Sequence, residues 1–278
     1  MATVYPGADL SARDIVDLKR YPIELLTSPE AQLLIEDCQA KIAQTGACEL
    51  KNFVTPAGLE ALIADAVRLE GTAFHNALVG NAYLDTPDES LPPDHVRRAT
   101  EPTSLGAVAY DQFPTDSALR KVFEWDPVMH FIGKVLELPK IYRYGDPMGA
   151  LNLAVMKDGD YLRWHFDQTD FVSSLAIRSA EEGGRFEYVP MIRNSREENY
   201  EKVKALLAGS REGVIEIANA PGTLVLFKGR HSIHRVTPIH GKISRLMGLF
   251  GFDTQPGVVS TEHLRRIRYG RTEVLNTL

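Results

Sequence analysis

In the stretch YLRWHFDQTDF (161–171), His165 and Asp167 stand two apart inside a run of large apolar side chains. On a strand, residues two apart face the same way, so His165 and Asp167 would point together while Trp164 and Phe166 point to the other face. A histidine and a carboxylate that converge in a protein interior must be paired, hydrogen-bonded or metal-bound, because a lone buried charge is too costly. An H-x-D tripeptide recurs by chance, so a further ligand is needed, and His231, His234 and His240 in GRHSIHRVTPIHGKISRL are the candidates. Two histidines and one carboxylate with open coordination positions suit a non-haem Fe(II) centre. Arg245 follows His234 by eleven positions. Its planar fork is suited to holding a carboxylate by two parallel hydrogen bonds.

The order HFD (165–167), a helical insert, GRHSIHRVTP (229–238) and SRL (244–246) resembles the Fe(II)- and 2-oxoglutarate-dependent dioxygenases over about residues 141–256. More narrowly, WHFDQTDFVSSLAI, EEGGRFEYVP and LFKGRHSIHRVTP are similar to the branch that hydroxylates or halogenates free amino acids. The resemblance implies that His165, Asp167 and His234 hold the iron and that Arg245 binds the distal carboxylate of 2-oxoglutarate. The other end of 2-oxoglutarate would chelate the iron, and O2 would take the last position. The outcome would be hydroxylation of an unactivated C–H bond with release of succinate and CO2. In the halogenases of this branch a small residue replaces the carboxylate ligand, so the retained Asp167 implies the hydroxylating type.

The implied substrate is a small polar molecule, a free amino acid or close analogue. Asn152, Gln168, Asp170, Arg97 and Arg98 are the candidate contacts. Gln168 offers no acidic group to a lysine side-chain amine; Asp170 or Asp146 could. Met156 stands near the place where many relatives carry a tyrosine. A non-catalytic jelly-roll metal-binding or sensor protein, a halogenating or desaturating relative, and a cupin-like enzyme that works without 2-oxoglutarate are the competing readings. The first and last of these leave Arg245 unexplained.

These side chains need a scaffold. From residue 141 the pattern alternates, and about eight short strands with turn signals predict a double-stranded β-helix, a jelly-roll or cupin-like core in an α+β chain. Helical spacing with capping residues is read over 11–26, 28–46, 55–71, 115–138 and 195–209, the last with Tyr200, Val203 and Leu207 inward and Ser195 as its cap. The N-terminal helices would pack outside the core. One catalytic domain, 1–278, is expected: a mainly helical N-terminal half (1–140) with a lid loop at about 79–106, the core (141–256) and a C-terminal tail (257–278).

The chain is 44% hydrophobic and 24% charged with a net charge of −6, so a general nucleic-acid or anionic-membrane partner is not expected. No apolar run approaches the roughly 18 residues of a membrane span. The N-terminus lacks a basic region followed by an apolar stretch. Cys38 and Cys48 are not in a metal-binding spacing and read as buried reduced thiols, which suits a cytoplasmic setting. The oligomeric state is open, a homodimer among the options.

Overall fold

The computed structural model describes residue 7, residues 9–86 and residues 88–275. The first six residues, where a targeting segment would begin, lie outside the described residues. Two antiparallel sheets face each other. The larger has seven strands: β1 (Ala47–Leu50), β11 (Leu224–Phe227), β7 (Val172–Arg178), β14 (Arg245–Phe250), β5 (Leu151–Met156), β3 (Glu101–Ala109) and β2 (Phe74–Gly80), in that spatial order. The smaller has four: β10 (Ile215–Ile217), β9 (Phe186–Val189), β12 (Ile233–Val236) and β6 (Leu162–His165). Short strand pairs, β8 (Glu182–Gly183) with β13 (Ile239–His240) and β4 (Tyr142–Arg143) with β15 (Phe252–Asp253), close the ends. The expected jelly-roll architecture with helices outside is what the chain adopts.

The outward face of the larger sheet is apolar. Leu151, Leu153 and Val155 of β5, with Leu246 and Phe250 of β14, turn outward onto α2 (Pro29–Thr45), α3 (Pro56–Glu70), α4 (Ala118–Glu124) and α5 (Asp126–Val135), where they meet Leu62, Phe123, Phe131 and Ile132. These helices start as the sequence predicts: Ser28 and Thr55 accept from the backbone N–H groups of Ala31 and Gly58, each with proline at the first helical turn. Cys38 and Cys48 are both buried free thiols.

The N-terminal half differs from expectation in three ways. The helix expected over 11–26 is one turn, α1 (Ala12–Ile15). Beyond it Val16 bridges Val54 and the Asp17 N–H donates to the Phe53 carbonyl, so tertiary pairing overrides the helical spacing. Besides their helices, residues 1–140 supply β1, β2 and β3 to the larger sheet. The stretch 79–106 is likewise not all loop: β2 ends at Gly80, β3 begins at Glu101, and residues 81–100 span between them. Strand β3, EPTSLGAVA, lacks a clean alternation and is held by pairing on both sides, to β2 and β5.

Further along, α6 (Tyr200–Leu207) begins at Asn199, in the left-handed region at φ 51°, and not at Ser195. Val203 and Leu206 are its buried residues; Tyr200 and Leu207 are partly buried beside them. The C-terminal tail carries α7 (Glu262–Tyr269), which docks on β2 and β3.

Candidate metal centre

Strand β6 ends at His165, and β12 pairs with it so that His234 lies directly across. Asp167 stands just past the end of β6, so strand alternation alone does not aim it. Its N–H donates to the Gly229 carbonyl, which turns the carboxylate back toward the histidines. The ring centroids of His165 and His234 are 4.2 Å apart. Asp167 Oδ1 is 3.8 Å from His165 Nε2, and Oδ2 is 3.4 Å from His234 Nε2. One donor atom from each of the three lies within 4.8 Å of the others.

Both rings are fixed from behind. His165 Nδ1 is 2.8 Å from the Arg163 carbonyl and His234 Nδ1 is 2.9 Å from that of Ser232. A carbonyl only accepts, so each Nδ1 carries the proton and each Nε2 presents a lone pair to the centre. Burial and the neighbouring His234 ring push His165 down to about 4, so its imidazole is neutral, the form a metal requires. Asp167 Oδ2 is buried with no hydrogen-bond partner. A carboxylate oxygen in that state fits a bound cation and little else. Gly229 makes the room: a Cβ there would stand 1.7 Å from Asp167 Oδ2. The three side chains therefore fit a divalent metal with open positions.

On the facing sheet, Arg245 opens β14 opposite Met156. It is 7% exposed, and among the described residues the hydrogen-bond partner of its guanidinium is the Met156 sulfur at 3.8 Å. Burial pushes its guanidinium down to about 10. A buried cation without an anion is strongly unfavourable, so Arg245 is arranged for an anionic ligand. A cavity of about 60 Å³ reaches it from the side of Gly183, Gly184 and Asn219, without touching the triad. The Asn219 side-chain oxygen is buried there without a partner.

A family model described as Halogenase D matches residues 95–262. The chain belongs to this family. Among solved structures, the non-haem α-ketoglutarate-dependent epimerase SnoN from nogalamycin biosynthesis is similar at a TM-score of 0.54 and 12% identity, over 80% of this chain and 81% of that one. AviO1 from Streptomyces viridochromogenes Tue57 follows at 0.53 and 16% identity, over 80% and 96%. A prolyl hydroxylase from Trichoplax adhaerens, in complex with a hypoxia inducible factor peptide fragment, is similar at 0.51 and 16% identity, over 82% and 96%. No curated protein matches the sequence significantly. The resemblance to the Fe(II)- and 2-oxoglutarate-dependent oxygenases thus holds for family and fold.

The family match spans the triad, Arg245 and all five expected substrate contacts, but the fold brings few of those contacts together. Asn152 is on the inner face of β5, yet its amide donates to the Gly149 carbonyl and its oxygen accepts from the Tyr269 hydroxyl, so it anchors α7. Gln168 is exposed and donates to the Leu84 carbonyl. Asp170 forms an exposed ion pair with Arg230. Arg97 pairs with Asp85 and lies over the Tyr83 ring, and Arg98 donates to the Leu91 carbonyl; both brace the 81–100 loop from within. Asp146 is fully buried, accepting from the backbone N–H groups of Met148, Gly149 and Ser260 and from Arg265. It is a structural carboxylate and cannot meet a substrate amine. His231 lies outside the cluster with a buried, unpartnered Nδ1, while His240 is exposed on β13 and His75 is held by Asp160 at 2.7 Å. Two residues of the site do not stand out in the sequence: Arg163, although it shares the parity of His165, and Gly229, whose role needs the fold.

Proposed function

We propose that this chain is an Fe(II)- and 2-oxoglutarate-dependent hydroxylase of a small polar substrate, a free amino acid or close analogue, converting it to the alcohol with release of succinate and CO2. The observation that carries this reading is the buried, unpartnered Asp167 oxygen between two imidazole nitrogens whose partner nitrogens are tied to carbonyls. His165, Asp167 and His234 would hold the iron, and Arg245 would bind the distal carboxylate of 2-oxoglutarate. Bound Fe(II), with 2-oxoglutarate and O2, supplies the oxidising power for cleaving an unactivated C–H bond.

The protein's own contribution is placement. The carbonyls of Arg163 and Ser232 keep both histidines in one tautomer and orientation. Arg245 supplies a rigid fork in a dry setting, where a charge-assisted hydrogen bond is strongest. Phe227 and Phe186, at 4.8 and 5.4 Å from His234, keep water from its inner side.

The family's description favours a second reading, halogenation. It requires room for a halide at the metal, and Asp167 would fill that position, in the space that Gly229 leaves beside it. Anaerobic titration with Fe(II) and 2-oxoglutarate should give the visible charge-transfer band of the chelate, and succinate should accumulate over an amino-acid panel in air without halogenated product. Absence of the band, or halogenated product in chloride buffer, defeats the hydroxylase reading.

A further inference from the structure

We propose that Arg163 anchors a carboxylate on the substrate, so that the molecules this site takes are carboxylic acids held at β6 beside the triad. This rests on the hydroxylase reading and names its substrate class.

Arg163 precedes His165 by two residues, and its own carbonyl orients that ring. The position of Gly80 shows where its side chain lies. Gly80 pairs with Glu101, and by alternation Glu101, Thr103, Leu105 and Ala107 share one face of β3. Ala107 pairs with Ala154, which lies on the same face as Met156, opposite Arg245. That face looks into the space between the sheets. A Cβ on Gly80 would stand 2.7 Å from the terminal nitrogen of Arg163, so the guanidinium occupies the space between the sheets at their β2 edge.

The guanidinium there is unmatched. Arg163 is 8% exposed, and its one hydrogen bond is from Nε to the Asn81 carbonyl at 3.3 Å. Among the described residues no carboxylate forms an ion pair with it; the exposed Glu101, across from Gly80 on β3, acts on it only through space. Other arginines of the interior have their anions: Arg178 has Glu70 at 2.6 Å, Arg265 has Asp146 at 3.0 Å and Arg271 has Asp111 at 2.5 Å. Among the described residues, the two arginines less than a tenth exposed, Arg163 and Arg245, lack one. A buried unpaired cation is retained where a ligand supplies the anion. Arg245 answers to 2-oxoglutarate on one wall, which leaves Arg163 for the other reactant.

The approach is open on this side. The side chains of His165 and Asp167 keep 14% and 20% exposure, and Leu78, on the same face as Gly80, is 38% exposed. One residue, Trp164, separates Arg163 from His165, a spacing of roughly 7 Å along β6. A substrate carboxylate at the guanidinium would enter on the face of β6 that also carries His165.

The test uses the full chain with Mn(II) and 2-oxoglutarate under anaerobic conditions, titrated calorimetrically with the twenty L-amino acids and with their decarboxylated amines. At least one amino acid should bind, and its amine should bind about 100-fold more weakly. Arg163→Met should lose that preference, Arg163→Lys should recover part of it, and Gly80→Ala, which displaces the guanidinium, should weaken the acid about tenfold. The Fe(II)–2-oxoglutarate band should be unchanged in all three variants, which also reports that they fold. Amines binding as well as acids, no acid binding the unmodified chain, or acid affinity indifferent to Arg163→Met would each overturn the inference. If the band forms in every case, the hydroxylase reading survives that failure; a missing band in the unmodified chain sinks the reading itself.

Discussion

The two sheets are covered by unlike materials. Outside the larger sheet, leucines, valines and phenylalanines meet four helices in a dry apolar layer. Outside the smaller sheet, Trp164, Phe166 and Ile233 meet one short helix and the 81–100 loop through Ala82, Val96, Val203 and Leu206. That layer is threaded with charge: Arg193 lies 3.8 Å from the Phe166 ring centre and Arg235 4.8 Å from that of Trp164. It also leaves the Tyr83 hydroxyl and Arg97 Nε buried without partners. Arg245 projects from the helix-backed sheet, whereas His165, Asp167, His234 and Arg163 belong to the loop-covered one. In the proposed reading one wall would supply the anchor and the other the metal centre, beneath a cover that is less uniformly apolar than the scaffold.

Removing one group from each wall should give the largest effects. Asp167→Ala and Arg245→Met should each lower succinate formation at least about 1,000-fold. Their stabilities should diverge from ordinary buried-site mutants. Arg245→Met replaces an unpaired buried cation with an apolar chain of similar length, so Tm in the absence of 2-oxoglutarate should hold or rise by a few degrees, at about 2–4 °C per kcal/mol. A fall in Tm without ligand would mean that the chain itself supplies the anion.

Next comes the contrast in packing. Leu153 is fully buried in the larger sheet and Leu206 is 4% exposed on α6. Truncation of Leu153 to alanine should cost about 4–5 kcal/mol, because strands on both sides hold the cavity open, and Leu206→Ala about 2–3 kcal/mol, because α6 and the loop can relax into it. Chemical denaturation of the two variants measures the difference; equal losses would erase the distinction between scaffold and cover.

The same distinction explains what the sequence disclosed. The alternating strands after residue 141 were legible because side-chain period is a local property; His165 and Asp167 stood out by type and spacing, whereas the choice of His234 and the role given to Arg245 came from the family resemblance. Strands β2 and β3 were not: HNALVG and EPTSLGAVA show little alternation, and their strand state comes from ladders with partners about 30 and 50 residues away. Asp167 was found by type and spacing although it lies beyond β6, where alternation no longer applies; the Gly229 carbonyl aims it. Arg97 and Arg98 attracted attention as a charged pair in an irregular stretch, yet their partners, Asp85 and the Leu91 carbonyl, are local to that stretch. Arg163 went unnoticed because an arginine on a strand reads as exposed until its neighbours are known.

The smallest predicted effect concerns the cover. Tyr83 packs its ring against Phe166 at 5.2 Å and Tyr200 at 6.1 Å, and Arg97 and Arg193 lie 5.4 and 5.5 Å from its ring centre. Tyr83→Phe keeps every one of these contacts and deletes only the unpartnered hydroxyl, whose desolvation is unfavourable by about 1–3 kcal/mol. The substitution should therefore stabilise the fold by up to about 1 kcal/mol, a gain of about 2–4 °C in Tm. Arg97→Ala, by comparison, removes a pair whose side chains are 39% and 34% exposed and should cost less than about 1 kcal/mol. No equivalent gain is available around Leu153, where the layer is built of apolar side chains. Should Tyr83→Phe instead lose more than about 1 kcal/mol, the hydroxyl has an ordered partner beneath the loop. The cover would then be as completely matched as the scaffold.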